Sequence, residues 1–550
     1  MTNSTAGSGE TARTGGSAVG STTEAAYKGR WWTLGAVCLG IFMLLLDITI
    51  VNVALPDIQA DLDTTLSGLQ WVIDAYALSL AALLLTAGSL ADLYGRKRIF
   101  MIGLSLFTLG SALCGFAPDI VTLGAARAFQ GIGGAAVFAT GLAILSSTFS
   151  GKERGTAFGL FGATTGVAVA IGPVMGGVLT TGLSWRWIFF VNIPVSLIAL
   201  AISKRYIAES KDPNAGRPDY VGFATFSLAL GLLVFALIEA GESSFTDNLV
   251  TVPAAIATVL LVFFVITQRR RTHPMFDLAL LRKPSFVGGL IAAFAVSGSI
   301  FSLLTYLTIY LQNVLGYSAL GAGWRLLFLS GLAFFASAAA GRLTNTVPTK
   351  WLIAPGFIVT GIGLSLLTLI GPDTSWTAII PGLVVAGIGI GFINVPLAST
   401  AVGVVTPDKS GMASGINSTF RQIGIATGIA ALGSIFSQQT SREIAQALQG
   451  TPAADRAAQI SEATLGGQLG KVLGNVPQDA AMQIEQAARV AFVDALDTIT
   501  WIAAGLAFVA SLFCFWLIRA EDFEVGGGRE GSTPQAAADD TDAPAAPAGA

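Results

Sequence analysis

The chain has 550 residues, 53% of them apolar and only 11% charged, with a mean hydropathy of +0.70. At 56.6 kDa that is too apolar for water-soluble domains and fits a polytopic membrane protein. The net charge of −3, the single histidine (His273) and three cysteines scattered in apolar runs exclude a basic nucleic-acid surface, a Ser-His-Asp triad, a multi-histidine metal site and a disulfide framework.

Residues 1–30, rich in Gly, Ser, Thr and Ala, cannot bury enough apolar surface to order themselves and are expected to form a cytoplasmic tail. The first apolar run, 32–54, follows Lys28 and Arg30 as a signal peptide would. It is long, however, and carries Asp47, Thr49 and Asn52 before any cleavage site, so it reads as a retained span. Asp47 stands about 15 residues into it, roughly 22 Å up from the entry side at 1.5 Å per residue. The second span, 69–91, carries Asp74 about 8 Å from its opposite end. A tight turn follows, Gly88 to Arg98, in which glycines permit the reversal and Asp92 can either face a helix N-terminus or pair with an arginine.

Span three covers 98–117 and span four 120–147. Within span four, Arg127, Gln130, Gly131 and Gly134 share one helical face, and Arg127 lies about 10 Å from the end, level with Asp47 and Asp74. An ionisable side chain at that depth must face a cavity or a partner, because lipid exposure is expensive. In span five, 157–181, small residues recur at four-residue spacing: Gly155 with Gly159, Gly162 with Gly166, and Gly172-Pro173 before Gly176-Gly177. This lets helix backbones approach closely.

Spans 187–207, 219–240, 250–268, 286–313, 319–342, 351–371 and 376–402 follow. Lys152 to Gly159 and Asp408 to Gly415 echo each other at the entries to spans five and thirteen, the trace of a parallel repeat. Span thirteen, 411–436, holds Arg421 near mid-membrane, where it binds either an anionic substrate group or an internal partner. A long outer loop, 437–496, precedes the fourteenth span, 497–518, and from Pro477 it favours a helix running into that span. Residues 521–550 form a second cytoplasmic tail. Fourteen spans of about 20 residues account for roughly 280 positions, as the hydropathy requires.

Charge asymmetry orients the array. Of the 30 Lys and Arg, only Arg186, Arg442, Arg456, Lys471 and Arg489 fall on the outer side, and Arg127, Arg325 and Arg421 lie inside spans; the remaining 22 are cytoplasmic, as are both termini.

Leu46 to Pro56, with Asp47 at its start, resembles the span-one signature of the fourteen-span drug/proton antiporters of the major facilitator superfamily, the EmrB/QacA type. Gly88, Asp92, Gly95 and Arg96 resemble the superfamily's conserved loop, and Arg127 to Gly134 its span-four coupling motif. Gly166 and Gly172 to Gly177 resemble its antiporter motif, and Trp185 to Pro194 the entry to span six. The second-half counterpart of the loop departs from the pattern: Gly341-Arg342-Leu343 is not followed by an acid.

The resemblance implies an all-α major facilitator fold of two six-helix bundles, 31–210 and 284–520, with two extra helices in 211–283. It implies proton-coupled efflux of amphipathic small molecules across the cytoplasmic membrane by alternating access, with no cofactor beyond the proton motive force. Asp47, Asp74 and Arg127 would serve proton coupling, Asp92 and Arg96 a cytoplasmic gate, and Asp47, Asp74, Gln130 and Arg421 substrate contact. The partners are then small molecules, protons and lipid, and the working unit is expected to be a monomer. Two alternatives stay open: an exporter of one natural product or anionic metabolite, and an uptake symporter. An enzyme acting on lipid would need convergent catalytic groups that the residues do not supply.

Overall fold

The computed structural model of the chain describes residues 18–149, 151–211, 219–271, 274, 276–344, 346–371, 374–405, 410–451, 453–473 and 477–523. Among these residues the architecture is helical, with fourteen long helices. These are α1 (Ala18–Leu62), α2 (Leu66–Tyr94), α3 (Arg96–Gly115), α4 (Ile120–Thr148), α5 (Gly151–Gly182) and α6 (Trp187–Tyr206). Then come α7 (Tyr220–Glu242), α8 (Asn248–Arg270), α9 (Pro284–Val314), α10 (Ala319–Leu343), α11 (Lys350–Leu367), α12 (Ile380–Gly403), α13 (Ser410–Ala447) and α14 (Gln478–Leu517).

Local chemistry sets the boundaries. The side chains of Thr65, Asp119, Asp219, Asp247 and Ser318 each accept a backbone N–H in the first turn of the helix that follows, satisfying donors that have no intrahelical partner. Gly95, at φ 116°, supplies the reversal between α2 and α3 that a side-chain-bearing residue resists.

Thirteen helices among the described residues are long and apolar enough to cross a membrane. The expected span at 411–436 is a continuous helix, α13, but not one of the thirteen, because Asn417, Thr419, Arg421 and Gln422 dilute its hydropathy. Such a helix is tolerated in the interior, and α13 packs against α2, α7, α9 and α14.

The contacts repeat with an offset of eight helices. α2 packs on α4, α3 on α4 and α6, and α1 on α5 and α6; correspondingly α10 packs on α12, α11 on α12 and α14, and α9 on α13 and α14. The two sets meet where α5 lies on α10 and α2 on α13. At the first seam the backbones nearly touch: a Cβ added at Gly177 would lie 2.4 Å from the Cα of Leu320, and one at Gly323 2.2 Å from the carbonyl oxygen of Pro173. α7 sits against α2 and α13, with α8 on its outer side. Val252, Val259 and Val262 of α8 are exposed, as side chains facing lipid should be.

Two ends can be told apart. At the end bearing the termini, Trp32 stacks on Tyr206 with ring centroids 5.6 Å apart, Arg30 pairs with Glu153, and Ser285 binds the backbone of Leu517 and Arg519. At the opposite end, Asp61 accepts bonds from Arg186 at 2.6 Å and from the indole of Trp185 at 3.0 Å.

Two sequence expectations change. α1 reaches back to Ala18, so the helix takes up part of the expected 1–30 tail; a run without proline from Ala18 to Arg30 lets it propagate. The 437–496 loop is largely helical: α13 continues to Ala447, α14 starts at Gln478, and a short helix, Ala457–Leu465, lies between. Its apolar side packs there, with Ile444, Leu448, Ile460 and Ile484 forming a small core of their own. His273, Lys409 and the 408–409 part of the repeat echo lie outside the described residues.

Candidate functional site

α1, α3, α4 and α6 together enclose a polar cluster inside the first bundle. Asp47 and Gln130 are completely buried and Arg127 is 1% exposed. Arg127 Nη1 donates to Asp47 Oδ2 at 2.5 Å and to Gln130 Oε1 at 2.6 Å. Gln130 Nε2 and Asn192 Nδ2 each donate to Asp47 Oδ1 at 3.0 Å, and both also reach Ser111 Oγ, at 2.8 and 2.9 Å. Arg127 Nε donates to the carbonyl of Val72 at 3.1 Å, and the guanidinium lies 4.2 Å from the centroid of the Tyr76 ring. Each buried charge thus has an opposite charge and further hydrogen bonds, the condition under which such a pair survives burial. The i, i+3 spacing of Arg127 and Gln130 brings both to one carboxylate.

Asn192 and Ser111 are not among the candidates that the sequence marks. Asn192 lies within the Trp185 to Pro194 segment, so a signal is present; Ser111 sits in an apolar span with nothing to distinguish it.

Asp74 does not join this cluster, although the depth arithmetic puts it at the same level. Val72 and Tyr76 face Arg127, and a residue two positions along a helix points the other way. Asp74 instead shares its face with Gln70, whose Nε2 donates to Tyr306 of α9 at 3.1 Å. It is completely buried, and neither carboxylate oxygen has a hydrogen-bond partner among the described residues.

The turn between α2 and α3 pairs internally, Arg96 donating to Asp92 Oδ1 through Nε at 3.0 Å and Nη2 at 2.9 Å. Glu209, which no motif flagged, holds this turn from the segment that follows α6: its carboxylate accepts from the backbone N–H of Lys97 at 3.1 Å and Arg98 at 3.2 Å. A Cβ at Gly95 would come within 2.5 Å of that carboxylate, so a side chain there would push Glu209 aside in addition to the strain of its φ. A Cβ at Gly88 would meet open space.

Between the two helix sets lies a narrow cavity of about 40 Å³. Thr49, Asn52, Pro173, Phe301, Ser330 and Asn394 are among its walls. The π-helical turn Ser297–Phe301 in α9 turns Ile300 and Phe301 into it. Gly172 and Gly176 seat α5 on α1: an added Cβ would lie 1.9 Å from Thr49 Oγ1 and 2.8 Å from the carbonyl of Ile50 respectively. Gly166 faces Phe334 of α10 at 3.0 Å. Arg421 is half-buried and donates to Asn394 Oδ1 at 3.1 Å, so it stands behind a cavity wall paired with an amide, and with no carboxylate among the described residues. Gln130, a sequence candidate for substrate contact, is instead locked inside the Asp47 cluster.

The Major Facilitator Superfamily model matches residues 37–429. The chain is 38% identical over 404 residues to the multidrug resistance protein Stp of Mycobacterium tuberculosis, covering 73% of this chain and 75% of Stp. It is 36% identical to the puromycin resistance protein pur8 of Streptomyces alboniger, covering 76% and 84%. Among solved structures, a bacterial homolog of the human lysosomal transporter Spinster, inward-facing and occupied, aligns with a TM-score of 0.63 over 90% of this chain and 98% of its own, at 16% identity, a likeness of fold. The fourteen-helix architecture and these matches together establish that the chain belongs to the Major Facilitator Superfamily.

Proposed function

We propose that this transporter is a drug/proton antiporter that exports amphipathic small molecules across the cytoplasmic membrane. It would act as a monomer, with the terminus-bearing end in the cytoplasm. The division into bundles at 31–210 and 284–520, with 211–283 as an inserted hairpin, belongs to the same reading. The lysine and arginine asymmetry supports the orientation. The drug resistance functions in the relatives' names support the direction.

The observation that carries the mechanism is the position of the Asp47–Arg127 pair relative to the cavity. Asp47 lies two residues before Thr49, which lines the cavity and packs on Gly172 of α5. A proton on Asp47 Oδ2 removes the opposite charge from Arg127 and weakens a charge-assisted bond. α1 is then less firmly held to α4, and the cavity wall that Thr49 and Asn52 form is free to move. Loss of the proton re-forms the pair. Substrate and proton thereby compete through one helix, as exchange requires. The Asp92–Arg96 turn, braced by Glu209, would be the gate at the cytoplasmic end.

The cavity walls named above are apolar or bear hydroxyls and amides, and Arg421 stands behind Asn394. This favours a second reading, in which the cargo is neutral or anionic rather than a lipophilic cation.

The test is ethidium and puromycin efflux from energised cells expressing wild type or Asp47→Asn at matched membrane levels, with and without a protonophore. Efflux that collapses with either change supports the antiporter. Efflux that persists in well-folded Asp47→Asn overturns the role given to Asp47. Well-folded protein that exports neither compound moves the choice toward the second reading.

A further inference from the structure

The cavity at the loop-bearing end is much larger than the central one, about 470 Å³ against about 40 Å³. It lies between α2, α7 and α13 and is roofed by the short helix Ala457–Leu465. Its polar lining includes Ser67 and Gln70 of α2, Ser437 and Ser441 of α13, and Ser461 and Glu462 of the roof. The roof is fastened to both helix sets. Ser441 and Ser461 share a hydrogen bond of 2.7 Å, Gln59 of α1 donates to the carbonyl of Leu465 at 3.4 Å, and Gln468 just beyond it donates to Asp63 at 2.8 Å.

The floor of this vestibule is Gln70, and one helical turn below it on the same face, about 6 Å along the axis, stands Asp74. Asp74 is buried, with both carboxylate oxygens unpartnered among the described residues, and the hydroxyl of Tyr306 is close enough to interact with it electrostatically. An unpartnered carboxyl in such a place is costly unless it has a use. α7 supplies Ile238 to the vestibule wall, its Phe235 packs on Trp71 with centroids 6.4 Å apart, and Gln438 of α13 donates to its Ala240 carbonyl at 2.5 Å. The titratable groups facing the shaft are Tyr306 from α9 and Glu462 from the roof; α7 and α13 contribute apolar, hydroxyl and amide groups.

We propose that this vestibule is the water-filled entry through which protons reach Asp74 from the outer side, with Gln70 as its threshold and α7 as its outer wall. The inference rests on the proton-coupled reading given above. A hydronium ion in the vestibule passes a proton to a carboxylate oxygen of Asp74, leaving water behind. The loop helix and the inserted hairpin both acquire a role in this scheme, since they keep the route polar, narrow and separate from the lipid.

The test uses the full-length protein in intact cells with a small membrane-impermeant thiol reagent, wild type serving as the blank because Cys114 and Cys514 are buried and Cys38 lies toward the terminus-bearing end of α1. Ser67→Cys, Ser437→Cys and Asp74→Cys are expected to label from outside, in that order of decreasing rate, with Asp74→Cys at least tenfold slower once Ser67 carries a bulky adduct. Should Asp74→Cys fail to fold, Gln70→Cys takes its place and must be protected by the same adduct. Labelling of position 74 or 70 only from the cytoplasmic face, or without protection, overturns the proposal. Labelling as expected, combined with an Asp74→Asn protein that keeps wild-type proton-driven efflux, overturns Asp74 as the proton acceptor and leaves the Asp47 reading to its own test.

Discussion

Replacing Asp47 by Asn removes one charge from a pair that no solvent reaches, and its cost follows from what remains. Arg127 keeps its full charge with 1% exposure, bonded to Gln130 and the Val72 carbonyl but facing an amide where it had a carboxylate. Breaking a buried pair from one side costs about 3–5 kcal/mol. Replacing both partners by neutral groups is much milder, because neither charge is then stranded. The cycle of Asp47→Asn, Arg127→Gln and the double variant should therefore give a coupling energy of about 2–3 kcal/mol, the upper part of the range for contacting residues. The measurement is reversible unfolding of purified protein in detergent micelles, followed by tryptophan fluorescence, with efflux recorded on the same variants. Stability should fall sharply in each single variant and recover in the double, whereas transport should stay lost in all three. Additive stability changes would refute the pairing, and transport in the double variant would refute its role in coupling.

Asp74→Asn should be cheap or even favourable for stability, since it removes an unpartnered buried carboxylate, yet it should abolish proton-driven efflux while leaving substrate counterflow in proteoliposomes. Gly177→Leu should block transport without preventing membrane insertion, since its side chain enters the backbone of α10; overpacking of this kind costs about 1–3 kcal/mol, readable as a lowered melting temperature. Glu209→Gln should loosen the α2–α3 turn and speed proteolysis there, since a carboxylate that accepts two backbone N–H groups is replaced by a weaker acceptor. Asp119 caps α4 through Thr122, which lowers its pKa; that advantage is present above the ordinary Asp value of about 3.9 and is lost as pH falls through the lowered one. Asp119→Ala should accordingly destabilise at neutral pH and make no difference in strong acid, as thermal melts across pH will show.

Much of this molecule is written along the chain, because a bilayer imposes its constraints one segment at a time. The spans follow from apolar runs, the proposed orientation from lysine and arginine in the loops, and the close-packed seams from glycines four residues apart in α5. Span thirteen shows where that reasoning thins: Arg421 and its polar neighbours lower the hydropathy, and only burial among α2, α7, α9 and α14 explains why the helix is tolerated. Depth along each helix puts Asp47, Asp74 and Arg127 at one level, and of the three only Asp47 and Arg127 meet. Rotation about the helix axis is what a sequence leaves open, and it is fixed by which neighbours a helix packs against. α2 turns Val72 and Tyr76 toward Arg127 and Asp74 toward α9 and α13, so one carboxylate is paired and the other stands alone. Asn192, Ser111, Glu209 and the vestibule under Ala457–Leu465 belong to the same class: each joins positions far apart in the chain, and folding alone brings them into contact.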